Sequence, residues 1–459
     1  MYLAQPIRYD EAVTYLYFVR RPWAEALSVY TYPNNHLFHT LLAKASVTVL
    51  GNAPWALRVP AFVAGLLLVV ATYPVVRAMY GSRSALLATA VVASSGVLTL
   101  YSTNARGYTL LVLAFLALML LAIRVLRGAT PQWTAFGVIA ALGLWTVPVM
   151  LFPLGSVCLW ITVSLLAEKR GHELRGLGAA LGIAAVLTGL FYSPVVLREG
   201  LAAITRNKFV ASSGWFEFFE RLPSTIGEAF SSWSLGVHPI LRWTLLVFAA
   251  VALWHHSQLA RFRVNFLVAA YAWCAWLLVV NHRAPFARIW IWVVPVVAAL
   301  AAAGFVRLLS DRGDSNDALD RRIPVLAVAL AVFAGASVML TRGVLLSRDT
   351  GTYRDAPQAS VVLSRALQPG DRVVAAIPSS VPLLYYLNKL GVSERYFALE
   401  ERAAKRVVVV FNRDEDASLE AVVARSDVTD PAQFSPPAVL ARLPNSVIMV
   451  FQRRDATAK

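Results

Sequence analysis

Charge is scarce in this chain. Charged residues fill 15% of its 459 positions and hydrophobic residues fill 58%, whereas a soluble domain is about one quarter charged. Such a chain cannot turn its apolar surface inward and still meet water on all sides, so a soluble globular protein is excluded. Cysteine is nearly absent. Cys158 and Cys274 are the only two, and both fall in apolar runs. They offer neither a disulfide framework nor a zinc spacing, so the redox compartment is not legible from them. Also lacking are a Gly-rich phosphate loop and an HExxH helix. The first residues show no charged n-region leading into an apolar h-region, so they do not read as a signal peptide.

The charge that is present is mostly basic: 42 Lys and Arg against 26 Asp and Glu, a net +16. In a membrane chain this excess marks cytoplasmic loops beside anionic lipid and needs no nucleic acid. About 20 apolar residues cross a bilayer as a helix. Allowing for runs a little shorter than that, the sequence predicts about ten spans, at 56–76, 84–101, 107–126, 133–149, 150–167, 177–197, 241–256, 264–281, 288–306 and 323–341. The fourth and fifth are nearly fused around Pro148 and Pro153, which mark either a tight turn or one kinked segment. The basic stretches "RAMYGSR", "RVLRG", "EKRGHELR", "HHSQLARFR" and "RLLSDRGDSNDALDRR" follow every second span and are assigned to the cytoplasm. Segment 1–54, loop 198–240, the loop around "NHRAPF" and everything after 342 then face outside. With 1–54 outside and no span before it, an upstream helix is expected to be missing from this chain, the alternative being unaided translocation of a short N-terminal segment. Loop 198–240 carries "GWFEFFERLPSTIGEAFSSW", a mixture of aromatics and acids that reads as an interfacial helix or as an ordinary exposed one.

The composition changes near residue 345. "GDRVVAAIPSSVPLLYYLNKLG" reads as strand, turn and amphipathic helix, and "AKRVVVVFNR" and "NSVIMVFQRR" read as short strands. The expected organisation is therefore a polytopic α-helical membrane domain, 1–341, followed by a small extracytoplasmic α/β domain, 342–459. The second domain carries no recognisable chemistry and reads as a lid or docking module.

Four polar clusters fall on the outside face. "RYDEA" holds Asp10 and Glu11. "YTYPNNHLFH" holds Asn35, His36 and His39 and is followed by Arg58 in "APWALRVP". "YSTNARGYTLL" holds Tyr101, Arg106 and Tyr108, and "VVNHRAPFARIW" holds His282, Arg283 and Arg288. Polar groups at the bilayer edge are costly unless paired, solvated or functional. A guanidinium fork suits phosphate oxygens, and a carboxylate about 3 Å from a hydroxyl can take its proton. Together they would serve a phosphate-bearing lipid and a hydroxyl acceptor. Each group also has a plainer explanation. The acids could solvate a loop, and the arginines could anchor the topology or snorkel to headgroups. His36 and His39, three residues apart, share a helical face and give only a weak metal signal, and no metal ligands are assigned.

The order "YDEA", then "NNHLFHTLLAKASVTVLGNAPWALRVPAFVAGLL", then "GSRSALLATAVVASSGVLTLYSTNARGYTLLVLAFLAL" resembles the bacterial protein O-mannosyltransferase-like and aminoarabinose transferase-like family. These are polyprenyl-phosphate-sugar-dependent membrane glycosyltransferases of the GT-C fold. The resemblance covers roughly 8–126 well and rests on hydropathy beyond that. "ALRVP" at 56–60 and "ARGY" at 105–108 match the family pattern, while "PNNH" lacks its two prolines. The resemblance implies transfer of a sugar, of mannose or arabinose type, from a polyprenyl-phosphate carrier to an acceptor hydroxyl on a protein, lipid or glycan, with inversion.

In that reading Asp10, or second Glu11, is the base. Arg58, Arg106, Arg283 and Arg288 bind the phosphate, and Asn35, His36, Tyr101, Tyr108 and His282 position substrate. The resemblance leaves a divalent metal open and gives it no ligands. Two other classes compete: a transporter or flippase of lipid-linked sugars, and a non-catalytic glycolipid-binding scaffold. Convergence of Asp10, Arg58 and Arg106 on one outer-face cavity would favour the enzyme.

Overall fold

In the computed structural model, two apolar periodicities divide the chain into a helical bundle and a sheet domain. The structure describes residues 2–30, 32, 34–205, 214–311, 316–398, 404–416, 418–425 and 433–454.

After the short helix α1 (Tyr9–Thr14) and α2 (Leu37–Leu50), the long helix α3 (Pro54–Tyr80) begins with proline, whose missing N–H costs nothing at a helix start. It turns Arg58, Ala61, Ala64, Gly65, Leu68 and Thr72 into the bundle and leaves Val63, Leu66, Leu67 and Val70 exposed. That is one packed face and one face for lipid. α4 (Ser82–Ala93) and α5 (Gly96–Ser102) follow, bent by 60° at their junction. α6 (Tyr108–Leu126) runs through the middle. Its Phe115 meets Phe266 and Trp292, and Trp160 closes the same aromatic cluster against Phe266.

The expected ten crossings are corrected. Six helical stretches among the described residues are long and apolar enough to span: Pro54–Tyr80, Tyr108–Leu126, Pro148–Ala167, Gly171–Glu199, Ala287–Ser310 and Asp317–Leu346. The bent α4–α5 pair makes at most a seventh. The three other expected spans are the short apolar helices Trp133–Thr146, Pro239–Trp254 and Phe266–Asn281, of 14, 16 and 16 residues. At 1.5 Å per residue they reach roughly 21–24 Å, below the roughly 30 Å of hydrocarbon. The apolar runs expected there, 133–149, 241–256 and 264–281, are themselves 17, 16 and 18 residues long, so a run somewhat short of about 20 marks a helix without marking a crossing. Loop 198–240 does carry a helix, Trp215–Trp233, with Trp215, Phe216, Phe219 and Ile226 exposed.

After the last long helix the chain builds a four-stranded sheet. Its strands are β1 (Asp371–Ala375), β2 (Arg406–Asn412), β3 (Ala438–Arg442) and β4 (Ser446–Gln452), in the order β1-β2-β4-β3. β1 and β2 are parallel, and the other pairings are antiparallel. β2 is central, which is why Val407 to Val410 are all buried and its sequence is an unbroken valine run. Helices Ala356–Ala366 and Ser380–Lys389 cover one face, packing Ala359, Leu363, Leu383 and Leu387 onto Val408, Val410 and Ile448.

The sheet domain rests on the N-terminal segment. Ile7, Leu16, Ala43, Leu57, Ala105 and Tyr385 share one apolar cluster. The Tyr386 hydroxyl accepts from the Ile7 N–H at 3.0 Å, and the Tyr385 hydroxyl donates to Asn52 Oδ1 at 2.9 Å. The N-terminal segment and the sheet domain therefore lie at the same end of the bundle.

Candidate active site

The adjacent acids of α1 point to different partners. The Glu11 carboxylate accepts four hydrogen bonds. Oε1 takes Arg58 Nε at 2.7 Å and the Ala105 N–H at 2.8 Å, and Oε2 takes Arg58 Nη2 at 2.5 Å and the Arg8 N–H at 2.8 Å. Arg58 also donates to the carbonyls of Leu3, Gln5 and Pro6, so all five of its N–H groups are engaged. Both side chains are fully buried. This pair ties the first eleven residues to α3 and to the 105 turn. Its geometry leaves Glu11 no open position for a hydroxyl proton and leaves Arg58 no N–H for a phosphate.

Asp10 differs. Its Oδ2 is buried and has no hydrogen-bond partner among the described residues. It lies 3.8 Å from Arg106 Nε and 3.8 Å from Arg288 Nη1. Neither Arg106 Nε nor Arg288 Nε has a hydrogen-bond partner either. Charges are thus gathered at ion-pair distance with hydrogen-bonding valences still open. Among the described residues, the ion-pair partners of Asp10 are Arg106 and Arg288.

The surroundings hold these groups in place. Arg106 Nη1 donates to the Asn34 carbonyl at 3.0 Å and to Asn34 Oδ1, and its guanidinium lies 5.8 Å from the Tyr108 ring. Tyr108 meets Tyr101 edge to face at 4.9 Å and His36 at 5.1 Å. His36 Nδ1 accepts from the Gly107 N–H at 2.8 Å, directly behind Arg106. Burial first, and then the nearby Arg106, hold the His36 imidazole well below the ordinary histidine range, so it stays neutral. Asn35 bonds the carbonyls of Ala26 and Val29 and the Thr40 hydroxyl, closing the loop before α2. His282 caps the Phe266–Asn281 helix in a left-handed conformation, and its ring lies 3.8 Å from that of Trp215. It faces the Trp215–Trp233 helix.

Several site residues were not anticipated. Asp349, about a third exposed, lies on the strap leading into the sheet domain. Its Oδ2 accepts from the Tyr101 hydroxyl, and its Oδ1 is 3.5 Å from Arg288 Nη1. The same strap caps α1, because Gly351 and Thr350 carbonyls accept the N–H groups of Tyr9 and Asp10. Asn104 donates to the Thr350 hydroxyl at 2.9 Å. Buried Arg8 holds the strap from behind through the carbonyls of Val344, Ser347 and Asp349. The only hint in the sequence was a polar stretch, "SRDTGTY", straight after the last apolar run. Arg288 sits between Asp10 and Asp349, a donor set that suits a phosphate better than a cation. Among the described residues no three His, Cys, Asp or Glu side chains gather as metal ligands.

Residues 35–197 match the family model "Dolichyl-phosphate-mannose-protein mannosyltransferase". That stretch contains Asn35, His36, Arg58, Tyr101, Arg106 and Tyr108. No curated protein sequence matches the chain. Among solved structures, the chain is similar to ArnT from Cupriavidus metallidurans in the apo state, with 15% identity, a TM-score of 0.59, and coverage of 97% of this chain and 94% of that one. It is also similar to ArnT from the same organism bound to undecaprenyl phosphate, with 14% identity, a TM-score of 0.58 and the same coverage. The chain as a whole therefore has the fold of the ArnT structures, the GT-C fold of a membrane protein, and its residues 35–197 are similar to the protein-mannosyltransferase family model.

Proposed function

We propose that this protein transfers one sugar from a polyprenyl-phosphate carrier to an acceptor hydroxyl at the outer face of the membrane, with inversion. The observation that carries the reading is the buried, unbonded Oδ2 of Asp10 between Arg106 and Arg288. A solved protein of this fold is bound to undecaprenyl phosphate, which supports a carrier of that class.

In the proposed reaction the acceptor oxygen attacks the anomeric carbon opposite the phosphate, and the bond from that carbon to the phosphate oxygen breaks. Asp10 takes the hydroxyl proton as the new bond forms. Arg106 and Arg288 receive the charge that develops on the leaving phosphate, in a setting of low dielectric where fixed cations count for most. Tyr101 and Tyr108 line the carrier side, and Asp349 orients Arg288. Glu11 and Arg58 hold α1, the helix that presents Asp10. The sheet domain, 342–459, lies over the site and helps hold the acceptor. The sugar of mannose or arabinose type, the choice of acceptor and the outward orientation all belong to this proposal.

The test is transfer from a radiolabelled polyprenyl-phosphate sugar in membranes holding either the native protein or Asp10→Asn. Loss of a proton acceptor should slow transfer by about 10²–10⁴-fold in a variant that still melts cooperatively in detergent. Equal transfer by both proteins would remove Asp10 from the chemistry. Fractionation of the labelled product identifies the acceptor class.

A further inference from the structure

The other end of the same two helices carries a second phosphate-suited feature. α3 starts at the Asp10 end, where Arg58 meets Glu11, and finishes at Tyr80. α6 likewise starts at Tyr108 and finishes at Leu126. Where they finish there is a cavity of about 390 Å³, lined by Tyr73, Leu120 and Ile123 and by four arginines: Arg77, Arg124, Arg127 and Arg261. No acidic residue lines it. None of the four arginines has an ion-pair partner among the described residues. The nearby acids Glu168 and Glu173 are paired with Arg170 instead.

The cavity is held in shape. Arg127 Nη2 donates to the Ala78 carbonyl at the end of α3 and lies 6.0 Å from the Phe262 ring. The Arg261 N–H donates to the Met79 carbonyl at 3.4 Å, which folds the 260–263 turn over the helix end. The carbonyl ends of two helices offset only part of four positive charges, roughly half a charge each. Four guanidinium groups around one cavity repel one another unless an anion joins them. Its floor is apolar, and the charge pattern places this end at the cytoplasmic leaflet. Basic pockets between membrane helices on that side suit anionic headgroups.

We propose that this cavity binds the phosphate of an anionic phospholipid in the leaflet opposite the candidate active site. The arginines hold the headgroup, and Tyr73, Leu120 and Ile123 take the start of its acyl chains. The inference stands independently of the transfer reaction.

The test is mass spectrometry of the intact full-length protein in mild detergent, titrated separately with phosphatidylglycerol, phosphatidylcholine and inorganic phosphate. The native protein should retain phosphatidylglycerol about tenfold over phosphatidylcholine. Arg77→Gln/Arg124→Gln/Arg261→Gln should bring the two to parity, and the corresponding triple lysine variant should keep part of the preference because the charge remains. The lysine variant keeps the test decisive if the glutamine variant folds poorly. Arg83→Gln removes an arginine already paired with Asp320 and should change nothing. Four outcomes would each overturn the proposal: equal retention of both lipids by the native protein, an undiminished preference in the glutamine variant, an equal loss in Arg83→Gln, or inorganic phosphate bound without any lipid preference. The last two would mean, respectively, general surface charge and a free-anion site.

Discussion

Arg58 and Glu11, 47 positions apart, form a fully buried two-point ion pair, with Arg58 Nε 2.7 Å from Glu11 Oε1 and Nη2 2.5 Å from Oε2. Every remaining N–H of Arg58 bonds a carbonyl of residues 3–6. Removing one partner strands the other charge in the interior. Arg58→Ala should therefore destabilise the protein by about 3–5 kcal/mol, read as a lower melting temperature in detergent. Native melting behaviour with transfer abolished would instead return Arg58 to the chemistry.

Asp349 bears on the candidate site through Arg288 Nη1 at 3.5 Å and through the Tyr101 hydroxyl. Asp349→Asn keeps an acceptor for Tyr101 and deletes a negative charge beside the guanidinium. Undecaprenyl phosphate should then bind about fivefold more tightly, a gain of order 1 kcal/mol at an effective dielectric near that of a protein surface. The extra attraction should shrink as salt is raised. Weaker binding would show that Asp349 does not compete with the phosphate for Arg288.

His36 and His39 are buried beneath the site, and neither nitrogen of His39 has a hydrogen-bond partner among the described residues. Burial first, then Arg106, push His39 down to about 3 and hold His36 well below the ordinary histidine range. Their folded values lie below the unfolded value of about 6.5. Stability is therefore complete above about pH 6.5 and falls as the pH drops through the histidine range, because only the unfolded chain gains those protons. The slope should be about 1.4 kcal/mol per histidine per pH unit. Thermal melting in detergent between pH 8 and pH 5 checks this, and His39→Leu should flatten the slope by about half.

Gly351 has φ +68°, and a Cβ there would stand 2.6 Å from Pro378 Cβ and 2.8 Å from Tyr9 Cβ. Only glycine lets the strap pass this close while its carbonyl caps α1. Gly351→Ala should cost about 1–3 kcal/mol and lower transfer activity by displacing Asp10. Unchanged melting and activity would show that the strap does not position the acid.

Much of this was legible from local pattern. Valine runs bounded by charge marked β2, and β4 stood out in the same way. β3 has mostly exposed side chains and little pattern, and it passed unnoticed. Apolar runs located the helices, yet three of them stop after 14–16 residues. Composition records how apolar a stretch is, and helix length depends on where backbone hydrogen bonds end.

The amino-acid sequence by itself determined that the chain enters a membrane, that an acid pair stands at one end of it, and that a small sheet domain follows. These are properties of neighbouring residues. Only the tertiary structure decided that Glu11 is engaged and Asp10 is open, that Arg288 rather than Arg58 faces the open carboxylate, and that Asp349 joins them. Two adjacent carboxylates are chemically alike until folding assigns their partners, and apart from the neighbouring Arg8 N–H those partners come from residues 58, 105, 106 and 288.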